Sequence, residues 1–114
     1  MALYMVKFSY TPESWAALVK SPENREETVR RMLKESGASL EHIWYAFGDE
    51  DGFALIEAPD NVTAASVSLA ITSTGAFSSF KTSVLLTQEE TLEALEKAGT
   101  VSYAAPGARE KVPA

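Results

Sequence analysis

Runs of alternating apolar and aromatic residues predict four β-strands. They lie at residues 2–10, 39–47, 53–58 and 76–86. In the first run every even position is apolar or aromatic, the pattern of a strand with one fully buried face. The second and third runs are separated by the sequence GDEDG at residues 48–52. A short connector of Gly and Asp favours a chain reversal, so these two runs are predicted to form a hairpin.

Two helix signals lie between the first two strands. Thr11 as N-cap and Pro12 at the first helical position predict a helix over residues 13–20. A second start signal, Pro-Glu-Asn, predicts a helix that runs to about residue 36, and Gly37 then ends it. Helical periodicity turns a set of apolar residues towards the sheet: Trp15, Leu18 and Val19 in the first helix, and Val29, Met32 and Leu33 in the second.

Two further helices are predicted in the second half of the chain. Residues 62–73 have mostly small side chains, which let a helix lie close to a sheet. After the fourth strand, Thr87 and Glu90 have the spacing of a capping box and open the last helix. Leu92 and Leu95 are expected to point inward from that helix.

The order of these elements predicts an α+β fold of the ferredoxin-like β-α-β-β-α-β type, followed by one more helix. We expect a four-stranded antiparallel sheet, with its two central strands as the parallel exception, and helices on one face. At 114 residues the chain is one domain by length. The domain is expected over residues 1–98. The tail, residues 99–114, is either frayed or laid over a neighbouring surface.

The sheet face opposite the helices is predicted to be strongly apolar. Trp44, Phe53 and Leu55 lie on it, and burial of each such side chain contributes ~1.5–3 kcal/mol. Soluble monomers rarely expose an apolar patch of that size. We therefore expect a homodimer, or a higher oligomer of dimers, in which two sheets pack face to face. The alternative is that the last helix or the tail covers this face within one chain.

Charge and composition exclude several classes of partner. Ten Lys and Arg against sixteen Asp and Glu give a net charge of −6, which argues against a nucleic acid or an anionic membrane as partner. The basic residues of the second helix alternate with acidic ones, so we expect a solvated, salt-bridged face there: Arg25, Arg30, Arg31 and Lys34. The chain has no cysteine, which excludes disulfides and thiolate sites and is compatible with the cytoplasm, the expected location.

Several motifs together resemble the GYD-domain family. They are YTPESW, the basic helix before Gly37, FGDEDGFALIEAPD, the small-residue helix before TGA, and TQEE. The similarity covers roughly residues 4–98. It implies a ferredoxin-like fold of the dimeric α+β-barrel superfamily and association into a dimer, but no particular activity. The chain departs from the naming motif, because Glu50 stands where the family usually has Tyr, and Gly52 follows Asp51 in place of a bulky residue.

Four polar residues interrupt the apolar sheet face: Lys7, His42, Glu57 and Lys81. We expect them to approach one another near the rim of the dimer interior. There they would shift each other's pKa values and act as an acid–base set, with His42 and Glu57 as the catalytic pair. The alternative is that they form ion pairs that fix the dimer register. A single histidine beside Glu57 is too small a ligand set for a metal, and none is expected.

Aromatic strand residues are candidates to line a pocket for a flat or aromatic molecule. The predicted ligand-binding set is Tyr4, Lys7, Trp44, Tyr45 and Lys81, with Phe8 and Phe80 as further lining. The alternative is that the aromatic residues only form the core. The acidic loop at residues 49–51 is expected to be a solvated turn in which Asp51 binds its own backbone, because the loop lacks the ligand spacing of a calcium site.

Two functions from different classes are compatible with these features. The first is a ligand-binding or interaction module, with a small apolar or aromatic ligand held between sheet and helices or in the dimer interior. The alternative is a cofactor-independent small-molecule enzyme, of the isomerase or monooxygenase type, that uses His42 as acid or base. That alternative depends on analogy with related barrels, and a fold does not fix a function. No cofactor is expected in either case.

Overall fold

The computed structural model describes residues 2–108, so Met1 and the last part of the predicted tail, residues 109–114, lie outside the described part. Eight elements follow the predicted order. They are β1 (Ala2–Tyr10), α1 (Pro12–Lys20), α2 (Arg25–Glu35), β2 (Ser39–Tyr45), β3 (Gly52–Ala58), α3 (Asn61–Thr72), β4 (Phe77–Leu85) and α4 (Gln88–Ala98). The predicted α+β, ferredoxin-like architecture is confirmed.

Side-chain caps begin all four helices. Thr11 and Asn24 cap α1 and α2, and each side-chain oxygen accepts a hydrogen bond from a backbone N–H two or three residues on. Asp60 caps α3 through the backbone N–H of Thr63, and this bond lowers the pKa of the Asp60 carboxyl. Thr87 forms the predicted capping box with Glu90. Among residues 2–108, the helices are too short or too polar to cross a lipid bilayer.

The four strands form one sheet in the order β2-β3-β1-β4, and every neighbouring pair is antiparallel. The expectation of a parallel central pair is wrong, because the central strands β1 and β3 run in opposite directions. The connections between the strands explain this. The chain returns through α1 and α2, so β2 runs parallel to β1 in direction without pairing with it. The hairpin then reverses β3, which is inserted between them.

One face of the sheet carries the core and is covered by helices. Tyr4 pairs with Ile56 and Val6 with Ala54 across the two central strands. The buried apolar residues are Tyr4, Val6, Phe8, Tyr10, Leu33, Ala38, Leu40, Ala54, Ile56, Ala58 and Val67. Among them only Leu33 and Val67 come from helices, one from α2 and one from α3. The helical layer therefore contributes few large side chains to the core.

The opposite, open face follows from the register. Three rows of residues cross it from β2 to β4: Trp44, Phe53, Lys7 and Lys81; then His42, Leu55, Met5 and Ser83; then Ser39, Glu57, Leu3 and Leu85. Most of the residues that the two central strands place on this face are apolar, namely Phe53, Leu55, Met5 and Leu3. None of the buried core residues of the described chain lies on this face.

Two predicted orientations are wrong. Val19 was expected to point inward from α1 but is 78% exposed, because the short helix packs through Leu18. Strict alternation with Ser79 and Lys81 would also place Phe77 on the open face. A register shift at Ser9 and Tyr10 turns it to the helix face, where its ring stacks on that of Tyr10 at 4.8 Å between centroids.

The helix α4 and the segment after it extend away from the sheet. The molecule measures 71 × 30 × 23 Å, and its radius of gyration is 19.4 Å. A compact chain of this length has a value of ~13 Å. The prediction that Leu92 and Leu95 point inward is wrong for a single chain, since they are 51% and 64% exposed. Periodicity defines the apolar stripe of a helix but not the surface that covers it.

Candidate functional site

A cleft of about 270 Å³ opens between α2 and α3 on the helix face of the sheet. Its floor is the sheet centre, and its walls are the two helices. The lining includes Val6, Phe8 and Ala54 in the floor, Arg25, Thr28, Val29 and Met32 from α2, and Ala70 and Ile71 from α3. The cleft is mostly apolar, as small-molecule sites in proteins usually are.

Small side chains leave this cleft open. Ala54 stands in the floor, and Ala70 and Ala76 line the α3 side. None of them reaches far enough to close the gap to α2. The cleft is open to solvent. An apolar concavity of this kind with a few polar groups is a candidate ligand site.

Polar groups gather beside one end of the cleft, where Tyr10 and Arg25 line it. The hydroxyls of Tyr10 and Tyr45 lie 3.2 Å apart and share a hydrogen bond. Burial raises the pKa of Tyr45 well above its ordinary value, and the bond to Tyr10 raises it further. The guanidinium of Arg25 lies beside Tyr10 and forms an ion pair with Glu23, which raises the pKa of Arg25. The paired tyrosine side chains thus lie next to a permanent cation.

Asp51 fixes the position of this aromatic end. Its Oδ2 accepts a hydrogen bond from the backbone N–H of Tyr10 at 2.9 Å and another from the indole Nε1–H of Trp15 at 2.9 Å. The expectation that Asp51 binds its own loop backbone is wrong, because β1 and α1 present these two donors to the carboxylate. The backbone N–H of Asp51 also donates to the carbonyl of Phe8 at 2.9 Å. The acidic loop is thereby joined to β1.

The neighbouring acidic residue is held by the other side of the sheet. Glu50 accepts from Nζ of Lys81 at 3.4 Å and lies within 3.5 Å of the Ser9 hydroxyl. Glu50 and Asp51 bind different partners, so their carboxylates do not converge on a single site. Across residues 2–108, three or more metal-binding side chains are nowhere grouped closely enough to hold an ion.

The structure places the four polar residues of the predicted catalytic set on the open face, but in different rows. Lys7 pairs with Lys81 in the row nearest the acidic loop, and Glu57 lies two rows away. His42 lies in the middle row, and its exposed ring stacks on Trp44 at 5.1 Å between centroids. Within residues 2–108 the His42 imidazole forms no ion pair with a carboxylate.

The predicted ligand-binding set is divided between the two faces of the sheet. Lys7, Trp44 and Lys81 lie on the open face. Tyr4 and Tyr45 lie on the helix face, where Tyr4 is buried and its hydroxyl donates to Oδ1 of Asn61 at 2.7 Å. The structure therefore does not bring all five into one pocket, because strand alternation sends neighbouring side chains to opposite faces.

Sequence reasoning named Phe8 and Phe80 as pocket lining, and both line the cleft, but it missed Arg25. Arg25 was assigned to a solvated, salt-bridged face, which fits Arg30 with its ion pair to Glu26 at 3.3 Å. Arg25 is also ion-paired, with Glu23, but it lines the cleft as the first residue of α2. The available signal was its position directly after the cap Asn24. That position sets Arg25 apart from the basic residues further along the helix.

The comparisons with known proteins agree with the fold. The sequence model of the GYD domain matches residues 4–95, which is most of the chain. No curated protein and no solved structure matches it. Because the match extends from β1 into α4, it includes the sheet, the cleft and the acidic loop. The chain belongs to the GYD-domain family.

Proposed function

We propose that this protein is a homodimeric binding module that holds a small molecule with an apolar or aromatic body in the cleft between α2 and α3. The observation that carries the proposal is the cleft itself, with an apolar floor and walls and a few polar groups at one end. That combination is the usual composition of a small-molecule site. Acid–base catalysis by His42 has no comparable support, since its imidazole stacks on Trp44 in the open.

The size of the cleft limits the ligand. Pockets for drug-sized molecules have volumes of roughly 300–1,000 Å³, and an engineered apolar cavity of about 150 Å³ holds benzene. A volume of about 270 Å³ lies between these two cases. The proposed ligand is accordingly one substituted ring or an aliphatic group of similar size.

A matched pair of substitutions tests the proposal. Ala70→Phe fills the cleft from its α3 wall, whereas Ala65→Phe puts the same ring in the shallow groove on the other side of α3. Both positions are exposed, so both variants are expected to fold. Ligand-observed NMR with a library of single-ring compounds is expected to find binders of the wild type and of Ala65→Phe that Ala70→Phe loses. Equal binding by both variants contradicts the cleft as the site.

The open face supports association into a homodimer. Its middle row contains Met5 and Leu55, and the two outer rows contain Lys7 and Glu57. Packing of a second sheet on the apolar centre would remove it from water, and a two-fold axis would bring the charged ends of the two copies together. In this arrangement Lys7, His42, Glu57 and Lys81 fix the register of the two sheets rather than perform catalysis.

The extended helix α4 also supports association. A helix of eleven residues is marginal in water unless its apolar face is packed. Leu92 and Leu95 remain exposed on α4, as do Val101 and Tyr103 after it. These apolar residues do not pack against the described part of their own chain, and a second copy of the protein would provide a surface to cover them.

A further inference from the structure

We propose that the ligand of the cleft is an anion, a single-ring aromatic or compact aliphatic carboxylate whose carboxylate group is bound by Arg25. This inference rests on the proposed function and adds the chemical class of the ligand. Among the described side chains that line the cleft, Arg25 alone is charged. The cleft thus offers a ligand one cationic group, and Glu23 pairs with this group from outside the cleft lining.

Arg25 has capacity for a second carboxylate. Glu23 contacts its Nη1, but a guanidinium carries five N–H donors in a fork that fits a carboxylate in two-point fashion. The Arg25 side chain is 33% exposed, so it is accessible from the cleft while partly removed from water. A charge-assisted hydrogen bond is stronger than a neutral one, and partial burial strengthens it further.

The surroundings of Arg25 favour an anion over a cation. Arg25 is the first residue of α2, an eleven-residue helix whose N-terminal end carries partial positive charge. The buried hydroxyl of Tyr10 lies beside the guanidinium and supplies a further hydrogen-bonding group. Thr28, one turn along α2, also lines the cleft with a hydroxyl. An ammonium ligand would meet Arg25 as a like charge.

The apolar part of the cleft suits a ring. The rings of Phe8, Phe77 and Phe80 line it, and Phe77 packs edge to face with each of the other two at 5.4–5.7 Å between centroids. Aromatic rings prefer such edge or offset contacts. Met32 supplies a polarizable sulfur that adapts to an irregular ring substituent. A carboxylate on Arg25 would leave the ring in this apolar region.

Glu23 competes for the same guanidinium. Its side chain is 52% exposed and precedes the helix cap, so it can leave Arg25 for water when another carboxylate arrives. Removing the Glu23 charge should therefore increase the affinity for an anionic ligand. The same change should not affect an uncharged ligand of the same shape. A change in affinity for the anionic ligand alone separates a direct role of Arg25 from a general effect on the fold.

The test compares 4-ethylbenzoate with 4-ethylbenzyl alcohol, an uncharged molecule of nearly the same shape, by NMR titration. The wild type is expected to bind the acid at least tenfold more tightly than the alcohol. Arg25→Gln should remove this preference, Arg25→Lys should keep part of it, and Glu23→Gln should raise the affinity for the acid several-fold. Added salt should weaken binding of the acid only. Far-UV circular dichroism confirms that each variant is folded.

The outcomes distinguish the two proposals. If the acid and the alcohol bind equally and Arg25→Gln changes neither, the anionic class is wrong while the cleft remains the site. If neither compound binds and the wider library of single-ring compounds gives no binder that Ala70→Phe loses, both proposals are wrong. Acid binding that survives in Ala70→Phe would place the anion site outside the cleft and overturn the inference.

Discussion

Gly52 lies directly opposite Phe8 in the pairing of β3 with β1, and the phenyl ring of Phe8 occupies the space where a side chain at position 52 would be. A Cβ atom built on Gly52 would lie 2.2 Å from Cζ of that ring. This contact explains why Gly, rather than a bulky residue, follows Asp51 in this chain. The Phe8 ring in turn lines the cleft, so the acidic loop and the candidate site are coupled through one residue pair.

Gly52→Ala should destabilise the protein by about 1–3 kcal/mol, because the added methyl group forces the Phe8 ring out of a packed position. Urea denaturation followed by circular dichroism measures the change. Gly99→Ala is the control, since Gly99 ends α4 at an ordinary negative φ and its Cβ would meet nothing closer than 3.4 Å. The control should stay within about 0.5 kcal/mol of the wild type.

Asp51→Ala should cost about 1–3 kcal/mol, because it leaves the Tyr10 backbone N–H and the Trp15 indole N–H without their acceptor. Trp15 fluorescence, recorded in a Trp44→Phe background, should change as the indole loses this bond. Asp49→Ala removes a carboxylate from an exposed position of the same loop and should leave both stability and fluorescence as they are. Equal effects of the two substitutions would contradict the anchoring role of Asp51.

Stability should fall as the pH rises above the ordinary tyrosine pKa of 10.0. The raised pKa of Tyr45 means that the native state keeps this proton while the unfolded chain loses it, so alkaline pH favours the unfolded chain. Below that pH Tyr45 is protonated in both the native and the unfolded state, so it does not change how stability depends on pH. Tyr45→Phe should reduce the fall in the urea midpoint between pH 9 and 11. An unchanged pH profile in the variant would argue against a proton held at Tyr45.

Leu55→Glu should convert the proposed dimer into a monomer, because it places a charge at the apolar centre of the open face. Sedimentation velocity at micromolar concentration is expected to give about twice the 12.3 kDa chain mass for the wild type and the single mass for the variant. Leu69→Glu, on the exposed side of α3, is the control and should remain dimeric. A wild-type chain that sediments as a folded monomer contradicts the dimer.

The elements were predictable because their signals are local. Alternation and turn residues gave β1 its observed bounds, and the Thr87–Glu90 spacing gave the start of α4. The orientation of Phe77 was not predictable, since it depends on a register shift in the pairing of two distant segments. The same holds for Leu92, whose exposure depends on what α4 packs against.

The candidate site could be predicted only in part. Phe8 and Phe80, which are expected from the sequence as pocket lining, do line the cleft. The cleft depends on the distance between α2 and α3, and on small residues such as Ala54 and Ala70, which carry no chemical signal in a sequence. Arg25 resembled its basic neighbours until the structure showed that it lines the cleft.

A methyl-labelled NMR titration of the wild-type protein with 4-ethylbenzoate tests the cleft as the binding site most directly. A ligand in the cleft should shift the methyl signals of Val29, Met32, Ala70 and Ile71, which line it, while those of Leu55 and Leu3 on the open face stay unchanged. Shift changes confined to the open face, or none at millimolar ligand, would contradict the cleft as the binding site.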